Sequence, residues 1–209
     1  MATFLTPVLI QRAHELIDAN DNLEGFVPGE GSLTPKLVLV SEAPGAKEAE
    51  LSHGFQGPAG TELNQWLALL GISRDEIYMT GAIRARPFTE TKGRKRDRRP
   101  TQAELKAFAP LLDHELAALP TGTLLVPLGN TGLQRLLGNK MKITQVHGEL
   151  MKMPILRFHS ATDQFKPGSR IYSLFPLFHP SYVRRFPSKR SLVEDDLKML
   201  KTLIGRLQI

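Results

Sequence analysis

The chain of 209 residues contains no cysteine. This absence excludes disulfide bonds, thiolate metal sites, cysteine-ligated iron–sulfur clusters and cysteine nucleophiles, and it fits a reducing compartment. No apolar run of the sequence approaches the roughly 20 residues of a membrane span. The N-terminal residues also lack the basic segment that opens a secretory signal. We therefore expect a cytoplasmic protein with no membrane contact.

The charge of the chain is concentrated in two short stretches. Residues 84–99 hold eight basic and two acidic residues, which equals the net charge of +6 of the whole chain. Arg184, Arg185, Lys189 and Arg190 form a second basic cluster, so the remainder is net acidic. Two basic loops on a mildly acidic body indicate a polyanionic partner along one face. A single loop of this kind can also serve only solubility.

Apolar runs typical of strands alternate with helical patterns along the chain. Strands are predicted over 36–41, 76–83, 123–128 and 171–178, and helices over 8–18, 61–70, from 101 and from 191. The alternation predicts a parallel sheet covered by helices on both faces, with ligands bound beyond the carboxyl ends of the strands. We expect one domain over residues 1–209, with an N-terminal helical extension (1–26) and a basic loop (84–100). The segment 139–170 is expected to be irregular except for short strands near Gly148–Leu156.

Three motifs at the predicted strand ends contain residues suited to chemistry. Glu42, in EAPG, is a carboxylate that can orient a water molecule or stabilise positive charge. Phe55, in HGFQGPAG, offers a stacking face among glycines that let a ligand approach the backbone. His179, in FHPSY, can donate a hydrogen bond to a developing anion. Each motif alone also fits a structural role.

The order of the motifs resembles that of the uracil-DNA glycosylase superfamily. EAPG, the GFQGPAG loop, a strand ending in RARP, LGNTGLQRLLG and HPSYVRRFPSKR follow one another over roughly residues 27–203. The sequence is most similar to the family 4 type of bacteria and archaea. The resemblance implies a three-layer α/β/α sandwich around a four-stranded parallel sheet. It also implies hydrolysis of the N-glycosidic bond of uracil in DNA, without a catalytic metal or a cofactor.

The resemblance implies a role for each motif. Glu42 would lie near the attacking water and stabilise an oxocarbenium-like sugar, and His179 would stabilise the uracil anion. Phe55 would stack on the flipped base. Further base contacts would come from Ala43, Pro44, Gly45, Thr80 and Gly81.

Contacts to DNA would come from the basic stretches. A base within a duplex must be rotated out, which requires a wedge and phosphate contacts. Ser181, Tyr182, Arg184 and Arg185 would enter or brace the minor groove. Phosphate contacts would come from Arg84, Arg86, Lys92, Arg94, Lys95, Arg96, Arg98 and Arg99. The expected partner is DNA, and the expected state is a monomer.

The sequence departs from family 4 at the positions of an iron–sulfur cluster. The family usually holds this cluster with four cysteines, and the corresponding positions fall near Ala19, Asn22, Ala85 and Phe108. We therefore expect no cluster, with side-chain packing in its place.

A second departure concerns the recognition of the base. The family typically has an Asn in a YxTN arrangement that reads uracil, whereas this chain has YMTG ending at Gly81. Ser41 also replaces a usual Gly, and Gln56 and Pro58 differ from the family pattern. The missing asparagine leaves three explanations open. Thr80 or a residue of 139–170 contacts the base in its place, the substrate base is a different one, or catalysis is weak.

Three functions therefore remain open from the sequence. The first is a DNA glycosylase for uracil or a related deaminated base. The second is a superfamily member that binds DNA or another nucleic acid with lost or changed catalysis. The third is an unrelated α/β enzyme for a phosphorylated small molecule, although GNTG and HGFQGPAG match neither a P-loop nor a Rossmann fingerprint. The six histidines lack metal-ligand spacing, so no metal is expected.

Overall fold

The computed structural model describes residues 2–207. The helices are α1 (Pro7–Asp18), α2 (Ala46–Leu51), α3 (Pro58–Leu70), α4 (Gln102–Ala118), α5 (Gly129–Leu137), α6 (Ile143–Val146), α7 (Pro180–Arg185) and α8 (Arg190–Leu207). The strands are β1 (Leu23–Phe26), β2 (Glu30–Gly31), β3 (Leu37–Ser41), β4 (Ile77–Gly81), β5 (Ala85–Thr91), β6 (Arg94–Asp97), β7 (Leu124–Pro127), β8 (Met151–His159) and β9 (Gln164–Leu174). Within this part of the chain, no helix is long and apolar enough to cross a membrane.

The main sheet has six strands, so the expected count of four is wrong. Its order is β2-β4-β3-β7-β9-β8. The four inner strands are parallel, while β2 and β8 pair antiparallel with β4 and β9 at the two edges. The four-stranded parallel core is therefore confirmed. Each edge strand is joined to it by antiparallel pairing, which the alternation of apolar runs did not reveal.

Helices cover both faces of the sheet, as expected for a three-layer sandwich. On one face, side chains of α3 and α8, including Trp66 and Leu197, pack against Leu39 and Met79 of the sheet. On the other face, α4 packs Leu112 and Leu116 against Val38 and Tyr78. Because both faces of β3, β4 and β7 are buried, these three strands are almost entirely apolar.

Most of the segment predicted to be irregular forms a long hairpin, which extends the short strands expected near Gly148–Leu156. β8 and β9 pair antiparallel from Met151 to His159 and from Gln164 to Leu174. Only Ile155 of β8 is buried and its other residues are intermediate or exposed, which is typical of an edge strand. The last strand therefore begins before residue 171 and ends before residue 178. Its polar residues and Pro167 hid it from a search for apolar runs.

The predicted basic loop is also a β-hairpin. β5 and β6 pair antiparallel, with Phe88 opposite Asp97 and Thr91 opposite Arg94, and β1 adds a third strand. Lys92 and Gly93 form the turn with φ values of +51° and +71°, the left-handed pair typical of a two-residue hairpin. The charges of the stretch masked this signal, because they resemble those of a solvated loop.

The N-terminal helix packs near positions that the resemblance assigns to an iron–sulfur cluster. Ala85 and Phe108 are buried in one apolar group with Leu5 and Ala13 of the N-terminal segment. Ala19 and Asn22 are exposed nearby in the chain. Since the chain has no thiol and apolar side chains fill this region, these residues do not fit an iron–sulfur cluster.

Candidate active site

A cleft of about 920 Å³ lies at the carboxyl ends of the parallel strands. Glu42, Phe55 and His179, which are far apart in sequence, all line it. Its lining also includes every residue predicted to contact the base: Ala43, Pro44, Gly45, Thr80 and Gly81. The structure thus brings the three sequence motifs to one place.

Glu42 is oriented by a residue that sequence reasoning missed. It follows β3 directly, and its Oε2 accepts a hydrogen bond from the Thr131 hydroxyl at the start of α5. This bond leaves Oε1 for a water molecule or for the positive charge of a sugar. Thr131 belongs to the GNTG motif, but the motif by itself indicates no role for this hydroxyl.

His179 is held as a neutral imidazole. Its Nδ1 accepts a hydrogen bond from the Ser181 backbone N–H at 3.2 Å and lies 2.9 Å from Ser181 Oγ. An accepting Nδ1 leaves the proton on Nε2, which is free to donate. Burial, together with the charge of Arg185, lowers the pKa of His179 to about 4. The ring is therefore an uncharged hydrogen-bond donor at neutral pH.

The first turn of α5 sets the position of both groups. Thr131 bonds Glu42, while a Cβ placed on Gly129 would lie 3.2 Å from the Cβ of His179. Gly129 has φ of +71°, a conformation that favours glycine. We call Glu42, Thr131 and His179 the catalytic wall.

The Phe55 ring lies close to the imidazole in the lining of the cleft. The ring centroids of Phe55 and His179 are 6.0 Å apart, and the ring planes differ by 24°. Phe55 has a left-handed backbone with φ of +53°, which is uncommon for a bulky residue. The surrounding structure must therefore hold this loop in place.

Two carboxylates and one guanidinium hold the Phe55 loop. Glu30 accepts from the Gly54 N–H at 2.8 Å, and Glu48 accepts from the N–H groups of Gln56 and Gly57 at 2.9 Å. Arg74 donates to the carbonyls of Gly54 and Phe55 at 3.2 and 2.7 Å. These contacts join distant parts of the chain, so no local sequence signal revealed them.

The structure turns the Thr80 side chain away from the cleft. Its hydroxyl donates to Glu115 Oε2 at 2.7 Å, on the α4 side of the sheet, and accepts from Arg84. Thr80 therefore lines the cleft through its backbone, and its side chain is not free to read a base.

Comparisons with known proteins agree with this geometry. The family model described as the uracil DNA glycosylase superfamily matches residues 28–203. The chain is 31% identical over 188 residues to a type-4 uracil-DNA glycosylase of Thermotoga maritima, covering 88% of this chain and 86% of the relative. It is 29% identical to the type-4 enzyme of Sulfurisphaera tokodaii (85% and 74% covered) and 28% identical to that of Pyrobaculum aerophilum (91% and 92% covered).

The chain belongs to the uracil DNA glycosylase superfamily. This membership makes it a hydrolase of N-glycosyl bonds with a DNA glycosylase role. It also removes the third possibility, an unrelated α/β enzyme for a phosphorylated small molecule.

The basic residues of this superfamily member divide into buried, paired and free groups. Arg84 is only 2% exposed and forms an ion pair with Glu115, so the prediction that it contacts phosphate is wrong. Arg86 pairs with Glu24 and Asp97, Lys95 pairs with Glu24, and Arg98 pairs with Glu104. Exposed basic residues of the hairpin region that form no ion pair with any described residue, here called the free cations, are Lys92, Arg94, Arg96 and Arg99.

Helix α7 follows His179 and faces the same cleft. Ser181, Tyr182, Arg184 and Arg185 line the cleft, but Val183 is buried. The Tyr182 ring stacks on Phe178 with centroids 4.6 Å apart. Ser181 is already engaged by His179, so it acts as a positioning residue for the imidazole.

The described residues contain no group of three or more His, Asp or Glu side chains arranged to hold a metal ion.

Proposed function

We propose that the protein excises uracil or a related deaminated base from DNA and leaves an abasic site, as the first step of base excision repair. The observation that carries the proposal is the convergence of Glu42, Phe55 and a neutral His179 on one cleft. A monomer without an iron–sulfur cluster, acting in the cytoplasm on DNA, is part of the same proposal.

The reaction separates charge, and the two ends of the cleft match that separation. As the bond between C1′ of the sugar and the base nitrogen breaks, its electron pair leaves with the base. The sugar becomes an oxocarbenium-like cation beside Glu42, and the base becomes an anion that accepts a hydrogen bond from His179 Nε2. Groups placed where charge develops stabilise the transition state more than the ground state.

Water completes the hydrolysis. A water molecule beside the free Oε1 of Glu42 adds its oxygen to C1′, and the proton it releases passes to the carboxylate and then to solvent. The departing base anion takes up a proton. The Thr131 hydroxyl, by occupying Oε2, fixes which carboxylate oxygen faces the water.

Phe55 supplies the surface on which the flipped base stacks. Stacking on an aromatic ring is favourable for any base, so it holds the base without selecting it. The free cations Lys92, Arg94, Arg96 and Arg99, with Arg184 and Arg185 on α7, provide the phosphate contacts.

One observation favours the alternative of a member that binds DNA without excising uracil. Gly81 offers no side chain to the base, and Thr80 is engaged by Glu115. A site that has lost a hydrogen-bonding partner loses discrimination. The catalytic wall is nevertheless complete, and it favours excision.

A panel of oligonucleotides tests the proposal. Single- and double-stranded DNA containing uracil, hypoxanthine or xanthine is incubated with the protein in EDTA and then treated with alkali. We expect strand cleavage at one or more of these bases, and none with Glu42→Ala under the same conditions. Absence of cleavage at every base, with salt-dependent DNA binding retained, would instead establish the binding-only alternative.

A further inference from the structure

Ser41 and Gly81 end two neighbouring parallel strands and face each other at the bottom of the cleft. They are register partners at the ends of β3 and β4, and both line the cleft. Side chains alternate between the faces of a strand. Ser41 and Gly81 therefore lie on the same face as Leu39 and Met79, which belong to the apolar group beneath Phe55.

The two positions share the space of one side chain. A Cβ placed on Gly81 would lie 3.1 Å from Ser41 Oγ and 3.5 Å from the Ser41 carbonyl oxygen. Ser41 Oγ itself donates a hydrogen bond to the Thr80 carbonyl at 3.2 Å. The serine side chain thus occupies the region into which a side chain at position 81 would extend.

Two other side-chain oxygens of the cleft lining are already engaged. The Thr80 hydroxyl is bound to Glu115 on the opposite face of the sheet. Asn130 Oδ1 accepts from the Ile143 N–H at 2.9 Å. By contrast, Ser41 Oγ donates its proton to Thr80 and keeps its lone pairs for another donor.

We propose that Ser41 reads the edge of the bound base, and that Ser41 and Gly81 form a coupled pair that determines which deaminated bases are accepted. This inference rests on the proposed function and specifies it. The lone pairs of Ser41 Oγ suit a ring N–H beside a carbonyl, the edge that uracil, hypoxanthine and xanthine share.

A single hydroxyl makes the site less selective than a carboxamide would. A hydroxyl offers one contact to that edge, whereas a carboxamide donates and accepts at the same time. The pair therefore admits both uracil and deaminated purines, with a small difference in rate between them.

The test uses Ser41→Ala, Ser41→Gly, Gly81→Asn and the double variant Ser41→Gly/Gly81→Asn, with Ser191→Ala on α8 as the matched serine control. Single-turnover excision is measured on oligonucleotides with uracil or hypoxanthine. Binding is measured in parallel on oligonucleotides with the non-hydrolysable 2′-fluoro analogues of both nucleotides, and Tm is recorded for every variant.

We expect Ser41→Ala to lower rate and affinity on both bases by about fivefold to tenfold, the effect of removing one hydrogen bond. Its affinity for undamaged DNA should stay unchanged. Gly81→Asn alone should lower Tm because it displaces Ser41 Oγ. The double variant should recover that Tm and raise the ratio of uracil to hypoxanthine excision about tenfold or more.

Two results would overturn the inference while the proposed function stands. They are unchanged rates and affinities in Ser41→Ala, and Tm effects of Ser41→Gly and Gly81→Asn that simply add. If the wild type excises no base, the proposed function fails, and the 2′-fluoro oligonucleotides then decide the inference. Equal affinity for the 2′-fluoro oligonucleotides and for undamaged DNA would overturn it as well.

Discussion

The catalytic wall and the bottom of the cleft differ in how closely they follow the superfamily pattern. Glu42 and His179 stand at their expected places, and Thr131 orients the first of them. At the ends of β3 and β4, Ser41 and Gly81 stand where the resemblance led us to expect a glycine and an asparagine. In the proposed reaction, bond cleavage and base recognition are carried by separate elements. We therefore expect that the recognised base can change while the catalytic wall is retained.

The largest expected effect comes from the catalytic wall. His179→Ala removes the donor that faces the leaving base, so we expect single-turnover excision to fall about 10²–10³-fold. Because the donor acts on the anion common to all substrates, the decrease should be the same for uracil and hypoxanthine. Oligonucleotide affinity should be retained.

His159→Ala, which removes an exposed histidine of β8, is the matched control. A decrease confined to one base in His179→Ala would contradict the comparison, because the wall would then also select the base.

The same comparison shows what the sequence could predict. Apolar runs located the inner strands β3, β4 and β7, and strand-end motifs identified Glu42, Phe55 and His179, because each signal is local. The Thr131–Glu42 contact and the turning of Thr80 toward Glu115 depend on residues 89 and 35 positions apart. No local pattern encodes them.

Charge was the least reliable guide. The stretch from Arg84 to Arg99 contains an inward-facing arginine and a hairpin stabilised by ion pairs to Glu24, and composition alone does not distinguish these from free cations. Lys95 Nζ and the Arg86 guanidinium also lie 4.3 and 5.8 Å from the centroid of the Phe88 ring. Such basic residues stabilise the hairpin.

The free cations of the hairpin provide the second test. Arg94→Gln/Arg96→Gln should weaken DNA binding and reduce the slope of log K against log salt concentration by about 0.9 for each phosphate that is no longer neutralised. The relative rates on different bases should not change, since these residues lie outside the cleft lining.

Lys152→Gln/Arg157→Gln on β8 removes the same charge from the edge of the main sheet and should leave the slope nearly unaltered. If both double variants reduce the slope equally, the hairpin makes no particular contact and only net charge matters.

A smaller effect is expected from the residue that orients Glu42. Thr131→Val preserves the shape of the side chain but removes the hydroxyl that donates to Oε2. We expect excision to fall about fivefold on every base, consistent with one hydrogen bond. Thr61→Val, on the exposed side of α3, is the control. An increase in the ratio of uracil to hypoxanthine excision would show that Thr131 also belongs to base recognition.

The smallest expected effect concerns pH. We expect the excision rate to stay constant in the pH range where an ordinary histidine would titrate. The pKa of His179 is lowered to about 4, so the imidazole stays neutral while the pH falls from 8 to about 5.5. Its contribution to the rate should be constant over that range and should disappear as the pH falls through 4.

The contribution of His179 to the free energy of unfolding also decreases as the pH falls. It is complete above the unfolded pKa of about 6.5 and declines below it, because the unfolded chain binds the proton first. Single-turnover rates measure the pH dependence of excision, and nitrogen NMR shifts of the ring measure the pKa of His179. Arg185→Gln should raise this pKa, because the charge of Arg185 contributes to lowering it. A rate that increases as the pH falls through 6.5 would mean that the wall uses an imidazolium. The leaving base would then be stabilised by a positively charged ring. This would contradict the neutral imidazole, whose Nδ1 accepts a hydrogen bond from the Ser181 N–H.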